Sequence, residues 1–197
     1  MTYTENRHRA LDRPMPALFF RGMSAVFQIR DLIRPRRILL DDVPLCTGDV
    51  VVDFGCGPGA YVPTLAARVG QTGSVIAVDI HPLAIQRVET LARRRSLHHV
   101  TACLTDGVHL PDIADDSVNV ALLCDVFHML GDQTGVLREL HRALVPDGIL
   151  VVNDPHMDQD ALIEDVMRAG YFGSPQCGDH VTIFVPSPVA DEHGASQ

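Results

Sequence analysis

Residues 50–60, Val-Val-Val-Asp-Phe-Gly-Cys-Gly-Pro-Gly-Ala, constrain the fold more than any other stretch of this chain. Three consecutive β-branched residues followed by Asp53 and Phe54 form a strand that is apolar on both faces, and only a sheet covered on both sides can bury such a strand. Gly55, Gly57 and Gly59 break it at once, and Leu65, Ala66 and Val69 then recur at helical spacing. Strand, glycine turn and helix make the first half of a βαβ unit, in which a ligand can approach the backbone at the helix N-terminus.

The alternation continues to the end of the chain. Residues 74–78 repeat the strand signal, and residues 82–94 carry Leu83, Ala84, Val88 and Leu91 at helical spacing. Residues 100–104 and 118–123 are further apolar runs. A helix over residues 133–144, with Val136, Leu137, Leu140 and Leu144 in one stripe, is expected to stop at Pro146-Asp147-Gly148 ahead of a strand at 149–152. Residues 159–169 read as a last helix, and residues 172–185 as a hairpin turning near Cys177-Gly178-Asp179. Apolar strands alternating with helices predict an α/β fold, a mostly parallel sheet with helices on both faces. The expected organisation is an N-terminal helical arm or lid over residues 1–44, a single α/β domain over 45–186 and a flexible tail over 187–197. Within the arm, residues 17–40 read as helical and apolar with Arg21, Arg30, Arg34, Arg36 and Arg37 interspersed. They either pack on the body or cover a ligand cleft.

Charge and composition narrow the chemistry. All 16 basic residues are Arg, so a phosphate-loop lysine, a Schiff-base lysine and pyridoxal chemistry are excluded together. The net charge of −9 is unevenly spread: residues 1–40 hold eight Arg against Glu5, Asp12 and Asp31, and the remainder is acidic. An acidic body argues against nucleic-acid binding. Five cysteines with no C-x-x-C pair argue against a disulfide framework or a zinc ribbon and suit a reducing cytoplasm. The apolar early stretch, residues 17–27, is broken by Arg21 and Gly22, so neither export nor a membrane span is expected. His98, His99, His109, His128 and His156 show no metal-ligand spacing, and no metal site is expected from sequence alone.

The glycine loop leaves the cofactor open by itself. Gly55, Gly57 and Ala60 also satisfy the dinucleotide fingerprint, and Asp79, at the end of the next strand, could take a ribose diol in either case. The later motifs decide. Asp53-Phe-Gly-Cys-Gly-Pro-Gly59 with Val-Ile-Ala-Val-Asp79-Ile80, then Thr105-Asp106-Gly107-Val-His-Leu-Pro111, then Asp116-Ser-Val-Asn119-Val through Asp125-Val-Phe-His128, then Leu137-Arg-Glu-Leu-His-Arg142 through Pro146-Asp147-Gly148, follow one another in order. Together they resemble the class I S-adenosylmethionine-dependent methyltransferases, and within them the small-molecule, quinone-biosynthesis-like branch. Asn119 stands where the family often has an acid, and Asp147 where it often has glycine.

This resemblance implies a Rossmann-like three-layer sandwich with a seven-stranded sheet in the order 3-2-1-4-5-7-6, the last strand antiparallel. It implies S-adenosylmethionine as cofactor and S-adenosylhomocysteine as product. Asp53 would orient the loop or meet the amino acid end; Gly55, Cys56, Gly57 and Gly59 would admit the cofactor. Asp79 and Ile80 would hold ribose and adenine, Asp106 and Gly107 would contact adenine, and Cys124 would border the site. Asp125 would lie beside the methyl group. His128 is the candidate base, since an imidazole can accept a proton near neutral pH, with His156 second.

The expected reaction is in-line methyl transfer to a small-molecule acceptor, driven mainly by proximity and orientation. A non-catalytic cofactor-binding sensor or partner subunit is the alternative. Minor alternatives are a thiol-bound, arsenite-like acceptor held through Cys56 and Cys124, and a nicotinamide-dependent oxidoreductase. Oligomeric state does not follow from these residues.

Overall fold

The structure, a computed structural model, describes residues 36–188. Seven strands, β1 (Val50–Phe54), β2 (Ser74–Asp79), β3 (Val100–Leu104), β4 (Val118–Cys124), β5 (Leu144–Asn153), β6 (Phe172–Cys177) and β7 (Thr182–Pro186), form one sheet in the order β3-β2-β1-β4-β5-β7-β6. Strands β1 to β5 pair in parallel, and β7 runs antiparallel to both β5 and β6. Order and directions match the expectation, including the terminal hairpin, whose turn is closed by the Gly178 N–H donating to the Val181 carbonyl at 2.8 Å.

Alternate residues of each strand feed opposite layers, which is why the central strands read as unbroken apolar runs. Val51, Val75, Leu122 and Val151 pack with Leu65, Ala66 and Val69 of α1 (Val62–Val69). On the same face, Val88 of α2 (Pro82–Arg94) packs with Ala77 and Val62. Val52, Phe54, Ala121, Leu123 and Val152 turn the other way, onto α3 (Gln133–Ala143) through Val136, Leu137 and Leu140 and onto α4 (Gln159–Arg168) through Leu162 and Val166. Each fully buried Leu or Val of these stripes contributes roughly 1.5–3 kcal/mol of apolar transfer.

Two local readings need correction. Helix α3 ends one residue early, at Ala143, and Leu144 already belongs to β5. Pro146-Asp147-Gly148 therefore does not separate helix from strand; it forms a bulge inside β5, because Leu144 pairs Val118 while Ile149 pairs Val120. Pro146 lacks the N–H that a ladder requires, and it is exposed with Asp147 while the chain recovers its register. Asn119 sits opposite this bulge, and its amide oxygen accepts the N–H of Val50 at 2.9 Å, satisfying the first residue of β1. An acid at that position is dispensable for the same bond.

Residues Arg36–Asp42 form a 3-10 helix rather than an α-helix. Leu40 and Val43 are buried beside α1, Arg68 donates to the Leu40 carbonyl and pairs with Asp41, and Asp42 accepts the N–H of His180 at 2.9 Å. The helical and lid readings of residues 1–35 and the tail beyond residue 188 lie outside the described residues. Among the described residues, no helix is long and apolar enough to cross a membrane.

The glycine loop is shaped by close packing as well as by turn geometry. Gly55 has φ +76°, and a Cβ there would lie 2.5 Å from Cγ2 of Val126; Gly59 has φ +81°, and a Cβ would lie 2.9 Å from Cγ2 of Val88. Substituting Gly55 by Ala combines a left-handed conformation, about 1–2 kcal/mol, with overpacking of about 1–3 kcal/mol. We expect Gly55→Ala to lower the unfolding free energy, read from urea denaturation, by about 2–5 kcal/mol. Gly57→Ala, which carries the conformational cost alone, should lower it by about 1–2 kcal/mol. Equal midpoints for the two variants would show that Val126 does not press on the loop.

Candidate active site

The strand order reverses between β1 and β4, and the C-terminal ends of these two strands, with β2 and β5 beside them, border the crevice in which open α/β sheets bind ligands. The glycine loop enters this crevice from β1. Its backbone is tied to β2, with Gly55 N–H and Cys56 N–H both donating to the Val78 carbonyl at 2.8 and 3.0 Å.

Asp79 completes the attachment. One carboxylate oxygen accepts the Gly57 N–H at 2.8 Å and the other accepts the His81 N–H at 2.7 Å, so the side chain joins the loop to the start of α2. His81 in turn caps that helix, its Nδ1 accepting the Leu83 N–H at 3.1 Å. Burial raises the Asp79 pKa, against the opposing effect of the N–H groups of His81 and Gly57. The Ile80 N–H also favours the ionised carboxylate, and of the roughly four acceptor positions of a carboxylate this leaves room for a ligand hydroxyl. A Cβ placed on Gly57 would meet nothing within 4 Å among the described residues, which leaves room for a ligand against the loop.

Asp53 is buried at the end of β1, and Cys56 lies close enough to both Asp53 and Asp79 to feel their charge. Burial first, then these two carboxylates, push the Cys56 thiol well above its ordinary pKa. Cys124, at the end of β4, is buried as well, and Ile80 is half-buried. Asp106 is exposed, and its carboxylate is engaged within its own loop: one oxygen accepts the N–H groups of Val108 and His109 at 3.0 and 2.9 Å, and the other lies 2.7 Å from His109 Nδ1. The backbone and ring N–H groups of His109 hold the Asp106 pKa far below the usual carboxylate range. Gly107 is buried beside it, its N–H donating to Thr105 Oγ1 at 3.2 Å.

Beyond β4 and β5 a second cluster forms. Asp125, with φ +61°, follows β4 directly and its N–H donates to the Asn153 carbonyl at 2.7 Å. His128 sits in a one-turn 3-10 helix, Phe127–Met129, anchored by the fully buried Phe127. Asp154, the residue after β5, has no exposed side-chain surface and accepts from His128 twice on one oxygen: from the backbone N–H at 2.9 Å, with Nδ1 at 2.8 Å. Its other oxygen accepts the His156 N–H at 3.1 Å. His156 Nε2 lies 3.2 Å from Asp125 Oδ1, and the two imidazoles stand 4.6 Å apart. Asp125, His128 and His156 were all candidates from sequence, and the fold brings them together. Asp154 was missed, although it stands in the same Asn153-Asp-Pro-His156 segment that singled out His156.

A cavity of about 500 Å³ adjoins the loop at Pro58 and runs along Leu83, Gln86, Arg87 and Arg94 of α2. It includes none of the acid–imidazole cluster, which stands apart from it at the ends of β4 and β5.

Comparison with known proteins agrees with this geometry. A family model described as a methyltransferase domain matches residues 46–182. An arsenite methyltransferase of Halobacterium salinarum is 31% identical over 110 residues, covering 56% of this chain and 28% of that protein. A demethylmenaquinone methyltransferase of Lactobacillus johnsonii is 30% identical over 102 residues, covering 51% of this chain and 41% of that protein. The chain thus spans less than half the length of these two relatives. The crystal structure of a SAM-dependent methyltransferase from Aquifex aeolicus superposes with a TM-score of 0.66 at 23% identity, covering 81% of this chain and 96% of that one. The nicotinamide alternative, which rested on the glycine fingerprint alone, finds no support beside these matches. By family match and by strand order together, the chain belongs to the S-adenosylmethionine-dependent methyltransferases.

Proposed function

We propose that this chain transfers the methyl group of S-adenosylmethionine to a small-molecule acceptor bound over the ends of β4 and β5, and that His128 takes the acceptor's proton. The observation that carries this reading is the His128–Asp154 pair, 2.8 Å from Nδ1 to the carboxylate, set beside the crevice that the glycine loop enters. With Nδ1–H donating to Asp154, the other ring nitrogen keeps a free lone pair, the tautomer a base requires. Bound cofactor supplies a methyl group on a sulfonium, which leaves as a neutral thioether when the acceptor's lone pair forms the new bond to carbon. His128 receives the proton that the acceptor's oxygen or nitrogen then loses, and the buried Asp154 steadies the resulting imidazolium.

In the same reading Asp79 accepts from the ribose hydroxyls beside the N–H groups it already holds, and Ile80 borders the adenine. Gly55 to Gly59 admit the methionine portion, and Asp53 keeps its acidic charge near the amino group. Gly107 and Cys124 line the walls. Asp106 bears on adenine less directly, because its oxygens already brace the loop. An oriented imidazole beside the crevice also favours an enzyme over a silent cofactor sensor. A thiol-bound acceptor is disfavoured: Cys56 and Cys124 are both buried, and Cys56 is held in the thiol form by its surroundings. The demethylmenaquinone methyltransferase relative supports a small organic acceptor.

Two outcomes test this reading. Charge-assisted bonds of about 1.5–3 kcal/mol imply that Asp79→Asn weakens S-adenosylhomocysteine binding by roughly 10- to 100-fold in calorimetry. Because burial raises the Asp79 pKa, the folded protein takes up this proton at a pH where the unfolded chain is still ionised. Acidification through that value should therefore weaken S-adenosylhomocysteine binding in the native protein while this group's contribution to stability increases, and Asp79→Asn should remove the dependence. Unchanged affinity in the variant would overturn the ribose role.

For the base, His128→Ala should lose about 10²–10⁴ in kcat with S-adenosylhomocysteine affinity intact. Loss of the acidic limb of the pH–rate profile in the same variant separates proton transfer from a packing role.

A further inference from the structure

We propose that Asp125, His128 and Asp154 form a binding site for one divalent first-row transition-metal ion. The site goes beyond the methyl-transfer reading and stands whether or not a methyl group is transferred. One donor atom from each of the three residues lies within 4.8 Å of the other two. Donors held at about 2.0–2.2 Å stand about 3.4 Å apart around a tetrahedral ion and at most about 4.4 Å apart when opposite, so closure draws the widest pair together by between about half an ångström and somewhat more than one.

The donor set is mixed, and its two carboxylates differ in setting. Asp154 is the better placed, since its side chain has no exposed surface and two backbone N–H groups, those of His128 and His156, fix it in place. Asp125 is mostly covered and is held on its outer side by His156 Nε2 at 3.2 Å. Ligating carboxylates are commonly steadied in this way by a hydrogen-bonded partner. The imidazole completes the set, and it biases the choice of ion. Calcium seeks six to eight oxygen donors and magnesium keeps to oxygen and water, whereas one imidazole with two carboxylates suits manganese, iron or zinc. Three protein donors leave coordination positions for water or for an acceptor oxygen, the arrangement of a catalytic rather than a closed structural site.

Occupancy would change the chemistry available in the crevice. His128 bound to an ion through the nitrogen that faces Asp154 carries its proton on the other nitrogen and cannot serve as the base. An acceptor hydroxyl reaching the ion would instead lose its proton more readily because the ion stabilises the oxyanion. Proton uptake by His128 and metal ligation by His128 are thus alternatives for one cluster.

The test uses full-length protein stripped with a chelator and titrated with manganese chloride, with the free aqueous manganese signal read by electron paramagnetic resonance. We expect one equivalent to bind with micromolar affinity, zinc to displace it, and calcium to bind at least tenfold more weakly. Asp125→Asn and His128→Ala should each weaken manganese binding by tenfold or more, with thermal melting confirming that both variants fold. His98→Ala, on the exposed turn before β3, should change nothing. Millimolar or non-stoichiometric manganese binding, or micromolar binding that survives both cluster variants, would overturn the site. S-adenosylhomocysteine titration of the same stripped sample keeps the two readings apart. S-adenosylhomocysteine binding without manganese binding sinks only the metal site; manganese binding without S-adenosylhomocysteine binding sinks the cofactor reading, and manganese binding lost in His128→Ala shows that in the metal-loaded protein His128 is a ligand and not the base.

Discussion

A single buried carboxylate holds the cofactor side of this protein together. Asp79 receives N–H groups from Gly57 and His81, so the loop leaving β1 and the helix following β2 are fastened to one side chain at the end of one strand. Burial opposes its ionisation, as the raised pKa records, and the two N–H donors offset part of that cost. Asp53 adds a second carboxylate to the loop's surroundings; burial first, and then these two charges, raise the Cys56 pKa. A ligand carrying an ammonium and a sulfonium gains from neighbouring carboxylates, whereas a pyrophosphate is repelled by them. The glycine turn, which by its spacing also fits a dinucleotide, is thereby biased toward an adenosyl sulfonium.

The ends of β4 and β5 depend on a different device. Strands β4 and β5 end level with each other, with Cys124 paired to Asn153 and the Asp125 N–H on the Asn153 carbonyl. The first residue past each strand is an aspartate, and each aspartate meets an imidazole supplied by the other segment: Asp154 meets His128, and Asp125 meets His156. This crossed arrangement braces the two loops against each other, while the buried Phe127 keeps the short 3-10 turn from shifting. Because neither loop carries both halves of a pair, each aspartate–imidazole contact also fixes the spacing of the two strand ends.

How much of this was legible in the sequence differs by element. Strand order, sheet direction, the hairpin and the boundaries of α2 and β3 follow from apolar period and from the family motifs, since both are carried by contiguous residues. Asp79 was readable for the same reason: it ends an apolar run and stands a fixed distance from the glycines. Its structural bonds to Gly57 and His81 were not, because they depend on loop curvature. The bulge at Pro146-Asp147-Gly148 was read as a break between helix and strand; turn residues mark a departure from regular structure without saying whether pairing resumes beyond it. Asp106 shows the opposite limit, a motif position whose oxygens the local turn has largely claimed.

Asp154 was the site residue that spacing could not supply. It lies 26 residues from His128, with α3 and the bulged strand between them, and no period links the two. Topology does link them. Once β4 and β5 are accepted as parallel neighbours, residues just past their ends must face one another across the crevice, and Asp125 and Asp154 become adjacent before any side chain is placed. The histidines then have to be sought within a turn of each aspartate, and both are found there, at His128 and His156. The acid–imidazole cluster is therefore read from strand order combined with the residues immediately after each strand, whereas the glycine loop and Asp79 are read from motifs alone.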